Sequence, residues 1–193
     1  SVLEDMLLRL QQPPFTGQLE HTQQIAALRQ SLADVRHRLD TNAAVAARAL
    51  YTRALASHAS DHRLHENYAE FLEATANLAA ATEEWRAVAA LAPHHHVAYF
   101  HIGRLLALQG KNPEARTQLL AAVGLRSDLS EGWFELGKVC AAENDQVSAI
   151  QMFDRSRALF PNDWRVYFQL GKCYSKLERR SEAVSQLRRA VEL

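Results

Sequence analysis

The chain has 193 residues, 48% of them hydrophobic, with 22 basic residues against 22 acidic ones. That apolar content with zero formal charge argues against a disordered chain, and the missing basic excess argues against a protein that grips nucleic acid by its phosphates. No apolar run approaches the roughly 18 residues of a membrane span and no signal-peptide pattern opens the chain, so a soluble protein of no assignable compartment is expected.

Residues 1–41 read as an irregular N-terminal helical segment. Val2, Met6, Leu7 and Leu10 share one face of a short amphipathic helix, and Pro13-Pro14 must stop it. Residues 18–39 predict one long helix, with Ile25, Leu28, Leu32, Val35 and Leu39 near heptad spacing. Ser1 in place of an initiator Met suggests a piece of a longer chain.

From residue 42 onward the sequence repeats at intervals of 34. Tyr99-x-x-Ile102-Gly103, Trp133-x-x-Leu136-Gly137 and Tyr167-x-x-Leu170-Gly171 superimpose without a gap. An Ala recurs in the same frame at Ala47, Ala81, Ala115, Ala149 and Ala183, and a large apolar residue follows each: Tyr51, Trp85, Leu119, Phe153 and Leu187. The frame gives a half repeat over 42–61 and repeats over 62–95, 96–129, 130–163 and 164–193. Each repeat predicts a helix hairpin. In the third full repeat Trp133, Leu136, Gly137 and Cys140 share a face, Asn144-Asp145 breaks the helix, and a second helix runs to Phe160-Pro161. One hairpin cannot bury its own stripe, whereas stacked neighbours can.

These residues resemble the tetratricopeptide repeat, whose signature places an aromatic, Leu-Gly, a Tyr, two Ala, a Phe and a Pro at fixed offsets. The resemblance spans about residues 42–193 and implies an all-α, right-handed superhelix of antiparallel hairpins, a TPR-like α-solenoid. The first full repeat departs from the pattern, with His65 at the aromatic position and Tyr68-Ala69 in place of Leu-Gly. Residues 10–19 also resemble the junction between an upstream bacterial hydrolase-like domain and its repeat tail.

In this family the first helix of each repeat lines a concave groove. Its fifth position here carries Glu66, Phe100, Phe134 and Phe168, and its ninth carries Glu70, Arg104, Lys138 and Lys172. Three exposed Phe side chains, each with a cation one turn on, suit an extended peptide bearing apolar and acidic side chains. The alternative is that the aromatic simply packs against its neighbour. Glu66 and Glu70 stand where the chaperone-tail clamp of other family members needs Lys and Asn, which disfavours that ligand.

The expected function is a non-enzymatic protein-interaction scaffold; the alternative is an accessory tail of a larger enzyme, positioning substrate or assembling subunits. No nucleophile elbow, zinc-protease motif, phosphate loop or dinucleotide fingerprint occurs, so no catalytic residue and no cofactor is expected. Consecutive His94-His95-His96 read as a polar inter-repeat loop whose rings diverge, rather than as a metal site. Cys140 and Cys173 read as buried thiols. Val184, Leu187 and Val191 follow core spacing on the last helix, which raises self-association through that face.

Overall fold

The computed structural model describes residues 42–193; the helices expected within residues 1–39 lie outside them. Two compact units divide between Ala54 and Leu55. Of the first, residues 42–54 are described, and they are helical within a helix over 42–57. The second unit holds four helix hairpins: α1 (His62–Ala74) with α2 (Leu78–Leu91), α3 (His96–Leu108) with α4 (Asn112–Leu125), α5 (Ser130–Ala142) with α6 (Gln146–Leu159), and α7 (Trp164–Lys176) with α8 (Arg180–Glu192). No strand occurs among the described residues. The fold is an all-α solenoid.

The turn inside each hairpin is the same device, repeated at 34 residues. Ala76, Gly110, Asn144 and Glu178 each adopt a left-handed backbone, with φ of 58°, 76°, 63° and 59°. The next amide reaches back five residues to cap the ending helix: Asn77 to the Leu72 carbonyl at 2.8 Å, Lys111 to Leu106 at 2.9 Å, Asp145 to Cys140 at 3.0 Å and Arg179 to Tyr174 at 2.9 Å. These bonds satisfy carbonyls that the helix end would leave bare. At 144 and 110 the sequence holds Asn and Gly, the residues that enter this region most readily. Asp145 then caps α6 by accepting from the Ser148 amide at 3.0 Å.

Within a hairpin, a residue without a side chain faces a large one. A Cβ on Gly137 would lie 2.6 Å from Phe153 Cε1; on Gly103 and Gly171 it would lie 2.6 Å from Leu119 Cγ and Leu187 Cγ. The two helices close until the large side chain rests on bare backbone, which is why the Gly and the apolar residue recur in phase. Trp85, Leu119 and Phe153 are fully buried. The first hairpin lacks the aromatic at His65, and a polar lock replaces it: His65 Nδ1 bonds Glu84 at 2.7 Å and Nε2 bonds the Ala59 carbonyl at 3.1 Å.

Successive hairpins stack so that α3 touches α5 and α5 touches α7. The first helices α3, α5 and α7 thus adjoin one another along one side of the unit.

Candidate functional site

The expected ladder of exposed Phe side chains is not uniform. Phe168 is 42% exposed, Phe100 is half-buried against the edge of His101 at 5.3 Å, and Phe134 is only 5% exposed. The reading of Phe134 as an exposed groove residue therefore needs correction. Its ring meets Phe153 at 5.7 Å on one side, and the Arg165 guanidinium lies 4.9 Å from its centroid. Arg165 belongs to the next hairpin, so a projection of α5 alone does not reveal this cover. Asp163 first, then Glu131, hold Arg165 in place, at 2.7 and 2.9 Å, and both stabilise its charged form.

The three cations also differ. Arg104 pairs with Glu73 of the preceding hairpin, whose other oxygen accepts from Trp85 Nε1 and His101 Nδ1, each at 2.7 Å. His101 stacks on Trp85 at 4.3 Å, so four side chains from three helices close one polar knot. Burial alone would raise the Glu73 carboxyl, but His101, Trp85 and Arg104 together hold it below the usual carboxylate range. Lys138 is spent on Glu135, with both carboxylate oxygens at 2.8 Å. Lys172 lies over the Phe168 ring at 5.6 Å and has no carboxylate partner among the described residues. Upstream, Glu66 sits 3.8 Å from His95 Nε2, and Glu70 is exposed.

Two hollows lie between adjoining first helices, at equivalent places. A hollow of about 260 Å³ is lined by Arg104, Ala107, Asn112, Glu135, Lys138 and Ala142 among others. A second, of about 310 Å³, is lined by Lys138, Ala141, Gln146, Gln169, Lys172 and Lys176 among others. Each of these residues is 34 positions on from its counterpart. Small residues at Ala107 and Ala141 leave the space, and longer polar chains rim it. Lys138 and Lys172 stand out in the sequence as cations, whereas Gln146, Gln169 and Lys176 become visible only when the 34-residue columns are extended across every position of the first helices and the turns after them.

The other expected sites resolve simply. Cys140 and Cys173 are buried and free, and burial raises both thiols. His94 is exposed, His95 faces Glu66 and lies beside the His96 ring with centroids 6.4 Å apart, and His96 meets Arg126 at 3.2 Å. Among the described residues no group of three or more His, Cys, Asp or Glu is placed to hold a metal ion. None of their helices is long and apolar enough to cross a membrane.

Residues 165–193 match the tetratricopeptide repeat family model, over α7 and α8. Residues 165–193 thus carry a tetratricopeptide repeat. Solved structures extend that likeness along the solenoid. The crystal structure of MamA superposes with a TM-score of 0.75 at 18% identity, covering 81% of this chain and 91% of that one. MamA from Desulfovibrio magneticus RS-1, residues 41 to its end, gives 0.74 at 16% identity over 85% and 93%. Pseudomonas aeruginosa pilF gives 0.67 at 21% identity over 80% and 70%. At these identities the likeness speaks for the fold. No curated protein matches the sequence. The tetratricopeptide solenoid is a protein-interaction scaffold fold, stacking short hairpins into a long shared surface.

Proposed function

We propose that the chain is a non-enzymatic scaffold that holds an extended segment of a partner protein in the groove of α3, α5 and α7. One observation carries this reading: the same hollow recurs 34 residues apart, so a chain lying along the groove meets the same kind of opening in consecutive repeats. An extended peptide advances about 3.3 Å per residue and sends alternate side chains to one side, which suits a row of equivalent openings. Phe168 supplies an exposed apolar platform, and Lys172 supplies a cation beside it. Phe100, Arg104, Phe134 and Lys138 build the wall, with Glu66 and Glu70 setting an acidic upstream end.

Panning a displayed random-peptide library against the whole chain tests the proposal. Recovered peptides should lose about tenfold or more in affinity on Phe168→Ala, because truncating an interface aromatic commonly costs about 2 kcal/mol. Peptides that bind Phe168→Ala and Lys172→Ala as well as the parent, and that shift no groove amide in NMR, would refute the groove reading.

A further inference from the structure

The two equivalent hollows differ in charge. In the upstream one both cations are answered: Arg104 by Glu73, and Lys138 by Glu135, which itself lines the hollow. In the downstream one the position of Glu135 is taken by the neutral Gln169, and that of Ala142 by Lys176. Lys138 keeps Glu135 as its partner, but Lys172 and Lys176 have no carboxylate partner among the described residues. The same shape is therefore neutralised in one repeat and left with two uncompensated ammonium groups in the next.

Gln146 also lines the downstream hollow and is only 7% exposed. Its Nε2 donates to the Ala141 carbonyl at 3.3 Å. Its Oε1 is buried and has no hydrogen-bond partner among the described residues. A buried acceptor left unpaired costs free energy that a donor from a ligand would recover once the Gln146 side chain turns Oε1 into the hollow. The hollow thus asks for an anion and an N–H together. One residue of a peptide supplies both: an acidic side chain for the lysines and its own or the adjoining amide for Gln146. Cys173, which also lines the hollow, adds no chemistry; burial raises its thiol although Lys176 and Lys172 pull the other way.

We infer that the hollow between α5 and α7 is a carboxylate subsite, in which Lys172 and Lys176 take the acidic side chain of a bound peptide and Gln146 Oε1 accepts a peptide N–H. This rests on the groove reading and gives it a direction of selectivity. The upstream hollow is its built-in counterpart, lined by the equivalent positions and closed to anions by Glu135.

The experiment is an NMR titration of the whole chain with N-acetyl-glutamate N-methylamide, beside the matching glutamine compound and inorganic phosphate. The glutamate compound should shift the Gln146 side-chain amide and the Lys172 and Lys176 backbone amides in a saturable way, and the glutamine compound should not. Gln169→Glu places in this hollow the acid that Glu135 supplies upstream, and it should abolish the response while leaving the amide spectrum otherwise folded. Lys172→Ala and Lys176→Ala should each weaken it severalfold. Equal shifts from both compounds, no saturable shift at all, or an unchanged response in Gln169→Glu would overturn the assignment. Saturation by phosphate alone would make this a general anion site and overturn the peptide assignment too. Displayed peptides that need Phe168 but show no acidic bias would keep the groove and remove only the subsite.

Discussion

Gly137→Ala adds one methyl group, and its cost can be worked from the hairpin geometry. The new Cβ would lie 2.6 Å from Phe153 Cε1, 2.7 Å from Cδ1 and 2.9 Å from Cζ. Ordinary carbon contacts begin near 3.5 Å, so the ring must retreat by most of an ångström. It has little room, being fully buried with Phe134 beside it. Overpacking of this kind costs about 1–3 kcal/mol, offset by up to about 1 kcal/mol from replacing a helical Gly. For a unit of this size, each kcal/mol lowers Tm by a few degrees. Gly124→Ala in α4 is the control, since a Cβ there meets nothing within 4 Å. There the helix-propensity gain is unopposed, and the melting temperature should rise. Calorimetry on both variants reads the two signs. A Gly137→Ala protein that melts at or above the parent would refute close backbone approach as the reason for Gly at this place in the repeat.

Three further outcomes are expected. Phe134→Ala should destabilise by about 3–5 kcal/mol, as buried aromatic truncations do, whereas the exposed Phe168→Ala should stay within about 0.5 kcal/mol; denaturant titration separates them. The Glu73 carboxyl, held below its unfolded value of about 4.3, contributes stability above that value and loses it as pH falls through the lower folded one. Tm should therefore fall on acidification below about pH 4.5, and Glu73→Gln should flatten that part of the profile. Ala76→Gly should raise Tm, because Ala76 holds a left-handed backbone at φ 58° that costs a residue with Cβ about 1 kcal/mol, while the reverse change Gly110→Ala at φ 76° should lower it.

The repeat was legible because packing imposes it locally. A bare position on the first helix and a bulky one on the second must recur together, so Gly103 with Leu119, Gly137 with Phe153 and Gly171 with Leu187 announce three hairpins. The turns were only half legible. Gly110 and Asn144 look like left-handed residues, but Ala76 and Glu178 do not; they are drawn there by the two amide bonds that cap each helix end. The Phe column failed at Phe134 for a different reason. A helical projection sorts residues by the face they leave from, not by what the next hairpin lays over them. Arg165, 31 positions on, covers that ring and is itself pinned by Asp163 and Glu131.

The charge balance shows the same limit at the scale of the groove. The whole chain is neutral, yet residues 62–95 hold two Lys and Arg against five Asp and Glu, and residues 164–193 hold seven against three. Even these local counts do not decide what a ligand meets, because partners cross between repeats. Glu73 answers Arg104 from the preceding hairpin, and Glu135 answers Lys138 within its own helix. Only after those pairs are removed does the uncompensated charge appear, at Lys172 and Lys176 around one hollow. Selectivity in a repeat scaffold then arises not from the repeated positions, which give shape, but from the single columns where the repeat lapses. Here the lapse from Glu135 to Gln169 removes beside Lys172 the acid that pairs Lys138 one repeat earlier.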